Sequence, residues 1–226
     1  MLPCWREELV KNWVETNLSV ENAFSVDPRE YLRNHPEFIQ VDTGGATVWQ
    51  CDHRLVLTNE FTALLNNYFS CDITGVLVFY RKAGYQHPGA HIDVDPQEGL
   101  NLPVTTSYNW VLEQDNNPMV WYKPWWDPEN VDEARLAAKG QLPFPGLDSS
   151  SPDAGSMTYQ ETPCELLERD SEHCLRHDVV TVCRTNVPHN VDMISDKDRW
   201  CITARSWGDQ DPMWSQVYNK LVNTSP

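Results

Sequence analysis

The sequence predicts a mostly β fold of the jelly-roll or barrel kind with flanking helices, and three observations predict it. Short β-favouring runs recur at Ile73 to Tyr80, Ala90 to Val94, Val104 to Leu112, Met119 to Tyr122, Val179 to Cys183, Val187 to Val191 and Arg199 to Ser206. Turn residues and Pro-rich breaks separate these runs, and helical periodicity gathers towards the ends, which argues against βαβ units. The 226 residues are 40% hydrophobic, with ten Trp, eight Tyr and six Phe. Such a chain is too rich in large apolar side chains to stay disordered and long enough to bury a sizeable core.

The elements follow in order. The first 35 residues read as a helical segment, because Trp5, Leu9, Trp13 and Val14 lie near one helical face and Asp27-Pro28 has the cap-then-Pro pattern of a second helix start. Phe38 to Val41, Ala46 to Cys51 and Leu55 to Leu57 are short β-favouring runs broken at Thr43-Gly44-Gly45 and Asp52-His53. A helix follows from Asn59 to Phe69, with Phe61, Leu64, Leu65, Tyr68 and Phe69 at helical spacing. The strand-rich core runs from 73 to 207. It is interrupted at 124–155 by a long insertion containing a short helix, Pro128 to Lys139, and reading either as a binding loop or as a solvated excursion. A final helix lies within 211–226, and the whole reads as one domain.

Charge and cysteine content narrow the function. With 33 acidic against 17 basic side chains the formal charge is −16, which disfavours a nucleic-acid partner. Seven cysteines, an odd number without a CxxC pair, form neither a zinc knuckle nor a disulfide framework. The N-terminus lacks the unbroken apolar stretch of a signal peptide or membrane span, so a cytoplasmic, reducing location is expected.

The chemistry gathers in three places. His91-Ile92-Asp93 puts an imidazole and a carboxylate on one face of a strand. Chance alone supplies about half of one such HxD here, so the pair needs company. A competing His35-Pro36-Glu37 is a poor ligand pair because of its central Pro. His189, 96 residues after Asp93, completes two histidines and a carboxylate and leaves three adjacent coordination positions open. That set suits ferrous iron binding a chelating cosubstrate and dioxygen, whereas structural zinc closes its shell with a fourth protein ligand. Arg199 follows ten residues later and begins an alternating strand, with Arg199, Cys201, Thr203 and Arg205 on one face. A guanidinium there suits the distal carboxylate of a dicarboxylic cosubstrate.

With these elements in order, the sequence resembles the 2-oxoglutarate and Fe(II)-dependent dioxygenase superfamily, in its prolyl- and aspartyl-hydroxylase-like form, over about residues 73–207. The resemblance implies a double-stranded β-helix, the cupin-like jelly roll. It implies that His91, Asp93 and His189 form the catalytic iron centre and that Arg199 binds 2-oxoglutarate. It also implies that Tyr80, some eleven residues before His91, reaches the cosubstrate or the site wall, and that Asn109 in Tyr108-Asn109-Trp110 faces the iron. The implied reaction uses O2, releases succinate and CO2, and hydroxylates an unactivated C–H bond; desaturation or cyclisation remain open.

The substrate side is read more loosely. Arg205 lies six residues beyond Arg199, roughly 20 Å along a strand, too far for both to grip one carboxylate. It is a candidate to hold an acidic group of the substrate, or else forms a structural ion pair. Trp121, with Trp125 and Trp126, is a candidate substrate wall, the alternative being core. Asp95 would make the mouth acidic, so a zwitterionic amino acid, a derivative or a peptide side chain is the expected substrate. His87 reads as an entrance residue. The competing class is a non-catalytic jelly roll that binds a ligand or serves structure.

Overall fold

The computed structural model describes residues 11–86, 89–95, 102–139, 141–142, 162–206 and 214–224. Its elements are β1 (Trp13–Ser19), α1 (Pro28–Arg33), β2 (Ile39–Asp42), β3 (Ala46–Asp52), α2 (Asn59–Phe69), β4 (Gly75–Arg81), β5 (Gly89–Ala90), β6 (Val94–Asp95) and β7 (Leu102–Pro103). They continue with β8 (Thr106–Val111), β9 (Met119–Tyr122), α3 (Val131–Ala138), β10 (Thr162–Pro163), β11 (Arg169–His173), β12 (Val179–Arg184), β13 (His189–Val191), β14 (Arg199–Arg205) and α4 (Trp214–Thr224).

Seven strands form the major sheet in the order β1-β12-β8-β14-β4-β3-β2, every pair antiparallel. A smaller sheet, β11-β9-β13, meets the β5–β10 pair through a bridge between His91 and His189. Together they make a double-stranded β-helix. The core between the sheets contains Val111, Cys183 and Cys201 from the major sheet and Met119, Trp121 and Val191 from the minor one.

Period-two alternation in the major sheet builds two different surfaces. Tyr108, Trp110, Val180, Val182, Ile202 and Ala204 face outward and pack against Leu32 of α1, Phe61 and Leu65 of α2, and Trp214 and Leu221 of α4. Their neighbours Ser107, Asn109, Thr203 and Arg205 face inward, towards the site. Helix α2 has the expected bounds, starting where the Thr58 side chain accepts from the Phe61 N–H and stopping at Ser70 in the left-handed region (φ 55°).

The N-terminal segment departs from expectation. Residues 13–19, expected in a helix, form edge strand β1 paired with β12. Val14, Thr16 and Leu18 alternate with the exposed Glu15, Asn17 and Ser19, and the sheet offers an edge for that face to cover. Within 11–35 the helix is confined to α1, capped by Asp27; residues 1–10 lie outside the described residues. Leu55 to Leu57 also form no strand, the chain turning there before α2.

The described part of the insertion is no free excursion. Trp126, Ala137 and Ala138 pack on Ile92, which stands between His91 and Asp93 and points away from them. Glu129 pairs with Arg184 at 2.6 Å and accepts from Ser215 Oγ at 3.0 Å, tying the insertion to β12 and α4. Residues 143–155 lie outside the described residues.

Candidate metal centre

The centre is built where two strand ends meet. His91 and His189 each donate a backbone N–H to the other's carbonyl, at 3.0 and 2.8 Å, and the Asp93 N–H donates to the Thr185 carbonyl at 2.9 Å. These bonds fix the HxD segment against the chain on either side of Val187-Pro188. The two imidazoles lie 4.6 Å apart between centroids. Nε2 of each is 3.7 Å from Oδ1 of Asp93. The three ligating atoms thus lie within 4.8 Å of one another.

Protonation states follow from the partners. Nδ1 of His189 is 2.9 Å from the Val187 carbonyl oxygen. A carbonyl only accepts, so Nδ1 carries the proton and Nε2 turns its lone pair towards Asp93. Burial lowers the pKa of His189 against the pull of Asp93, which keeps the ring neutral. Burial works in the opposite direction on Asp93, but the charge and hydrogen bond of Arg205 act against it, and the carboxyl is held below its usual range. Oδ2 of Asp93 accepts directly from Nη2 of Arg205. One carboxylate oxygen is thereby occupied, while the other faces the two imidazoles.

A cavity of about 470 Å³, counting its open mouth, joins this centre to a basic end. Arg199, 3% exposed, lines it. Its Nε lies 3.2 Å from Oδ2 of the buried Asp115, and among the described residues Nη2 forms no hydrogen bond. Asp115 is anchored by accepting from the Asn117 N–H at 2.9 Å. Between the ends, Asn109 donates to Ser107 Oγ at 2.7 Å and accepts from Thr203 Oγ1 at 2.5 Å, a polar wall that the sequence places in the pocket.

Three expectations need correction. Tyr80 faces the helix side of the major sheet, stacks near Trp200 and donates to Asp198 at 2.9 Å, so it does not reach the cavity. Strand parity is the reason: Phe79 and Arg81, on either side of it, are the cavity residues. Trp121 is fully buried in the inter-sheet core with its indole N–H on the Arg184 carbonyl at 2.8 Å, and is no substrate wall. Arg205 does line the cavity, but the carboxylate it holds belongs to Asp93 rather than to a substrate. Trp125 and Trp126 pack with Ile92 behind the ligands. His35 pairs with Glu37 at 2.8 Å outside this cavity. His87 and the side chain of Asp95 lie outside what is described.

Sequence reasoning missed Arg81, which stands opposite Arg199 in the ladder. The signal was parity again, since position 81 shares the face of Phe79.

No protein-family model matches the sequence, and no curated protein matches it. Among solved structures the chain is similar to ycfD of E. coli, at 13% identity and a TM-score of 0.35, over 74% of this chain and 35% of that one. This chain therefore spans about a third of ycfD. It is also similar to HygX of Streptomyces hygroscopicus, solved with nickel and 2-oxoglutarate bound, at 13% identity and a TM-score of 0.38, over 86% of this chain and 82% of that one. Neither likeness is strong enough to assign an activity. No helix among the described residues is long and apolar enough to cross a membrane.

Proposed function

We propose that this chain is an Fe(II)- and 2-oxoglutarate-dependent oxygenase that hydroxylates an unactivated C–H bond of a small molecule, such as an amino acid or derivative, or of a protein side chain. One observation carries the reading: His91, Asp93 and His189 converge within 4.8 Å at one end of a cavity whose lining also includes Arg199. The donor set fits ferrous iron, because two imidazoles and one carboxylate would leave positions for a chelating 2-oxo acid and for dioxygen.

Held by His91, Asp93 and His189, iron with 2-oxoglutarate and O2 would supply the oxidising chemistry, with succinate and CO2 as the co-products. The chain supplies the rest. The Val187 carbonyl fixes the tautomer of His189, and Arg205 keeps Asp93 ionised by donating to Oδ2, which leaves Oδ1 facing the imidazoles. Arg199 offers its Nη2, unbonded among the described residues, to the cosubstrate's distal carboxylate, and Asn109, Ser107 and Thr203 hold the wall between.

Anaerobic addition of Fe(II) and 2-oxoglutarate tests the reading. A weak visible charge-transfer band should appear, and His91→Ala should abolish it. A wild-type chain without the band, or a variant that keeps it, would falsify the assignment. Succinate release against amino acids, peptides and small metabolites then identifies the substrate.

A further inference from the structure

Arg81 is the charge in the cavity that the metal chemistry leaves unused. It ends β4 and is the direct ladder partner of Arg199. Both side chains line the cavity, and they are 8% and 3% exposed. Two like charges on one register pair repel each other, more strongly when water is excluded. Asp115 lies against Arg199. Among the described residues, Arg81 Nη1 donates to neutral acceptors, Asn190 Oδ1 at 3.4 Å and the Val191 carbonyl at 3.2 Å.

The charge count is therefore unbalanced. Among the described residues, three guanidinium groups, Arg81, Arg199 and Arg205, face two carboxylates, Asp93 and Asp115, before any metal adds its own positive charge. The excess is positive inside a chain whose formal charge is −16. Burial, then the charge of Arg199, brings the pKa of Arg81 down to about 10, which leaves it cationic at neutral pH. A buried cation without a counter-charge is costly, and an entering anion removes that cost. Arg199 Nη2, which has no hydrogen-bond partner among the described residues, is a donor that such an anion would satisfy.

We propose that Arg81 and Arg199 together form a two-guanidinium end wall for the distal carboxylate of the cosubstrate, and that Arg81 selects a dicarboxylate over a 2-oxo acid with an uncharged tail. This rests on the proposed function for the identity of the ligand.

Calorimetry on the full chain loaded with Mn(II), without oxygen, tests it. The probes are 2-oxoglutarate and 2-oxopentanoate, which carries a methyl in place of the distal carboxylate. Wild type should prefer 2-oxoglutarate. Arg81→Gln should lose about ten- to a hundred-fold of that affinity, the range of a charged hydrogen bond, with 2-oxopentanoate unchanged. If Arg81→Gln keeps the full preference while Arg199→Gln loses it, the role of Arg81 is overturned and the oxygenase reading stands. A metal-loaded wild type that binds neither acid overturns both. Should Arg81→Gln not fold, Arg81→Lys carries the test, since it keeps the charge and loses the fork. About a ten-fold smaller preference is expected there, and an unchanged one overturns the two-guanidinium wall.

Discussion

Asp93 takes part in two interactions, and its two oxygens divide them. Oδ1 faces the imidazoles, and Oδ2 is held by Arg205, which is 3% exposed in its side chain. Removing the guanidinium leaves a buried carboxylate whose environment favours protonation, because burial was the effect that Arg205 opposed. Arg205→Met should therefore weaken metal binding about ten- to a hundred-fold, as loss of a partner that orients a ligand does. It should also cost about 3–5 kcal/mol of folding stability, the usual range for stranding one charge of a buried pair. Metal titration and denaturant unfolding read the two effects separately. Wild-type metal affinity in a folded Arg205→Met chain would show that Asp93 orients itself unaided.

Ile92 links the element scale to the site, since its neighbours in sequence are the proposed metal ligands while its own side chain seats α3 and Trp126. Ile92→Ala leaves a void under the insertion and should cost about 2–4 kcal/mol. Metal affinity should fall with it, although no ligand is changed; equal affinity at reduced stability would mean that the backbone bonds to His189 and Thr185 suffice to hold the ligands. The same parity rule explains what was legible in the sequence. β4, β8, β9, β12 and β14 were readable because apolar and polar positions alternate in runs, or form short apolar blocks, between clear turns. β11 was not, because Arg169–His173 is a largely exposed edge strand with no hydrophobic alternation. β1 misled because Trp13 and Val14 fit a helical face as well as a strand, and only the open sheet edge decides between them. The expected Ala90–Val94 strand divides into β5 and β6, with His91 between them bridged to His189 outside the regular ladders. Tyr80 and Arg81 show the limit most sharply: composition pointed to the strand, but one residue of register decided which side chain enters the cavity.

For the whole molecule the strongly negative formal charge and the buried positive cavity act in opposite directions. Self-repulsion among surface carboxylates destabilises the folded chain at neutral pH, so added salt should raise the melting temperature near pH 7.5 through screening. Acidification is not equivalent to salt, because the buried groups then titrate. His189 and His173, the latter stacked on Trp13 at 3.8 Å, both have pKa values lowered chiefly by burial. Asp93 is also lowered, through Arg205. Each binds its proton more weakly folded than unfolded, so the unfolded chain takes up more protons as pH falls and stability declines. The two histidines should begin this decline as pH drops below their ordinary value of 6.5 and continue it through their lowered folded values, with Asp93 adding its part below 3.8. With metal removed by chelator, the expected loss between pH 7 and 5 is on the order of 5 °C, a shift set by about 2–4 °C per kcal/mol for a chain of this size. His173→Phe keeps the stacking on Trp13 and cannot titrate, so it should flatten part of that limb while leaving the salt response intact. A limb identical to wild type would place the linkage in His189 and the carboxylates alone, and a melting point rising steadily from pH 7 to 5 would mean that relief of surface repulsion outweighs the buried histidines.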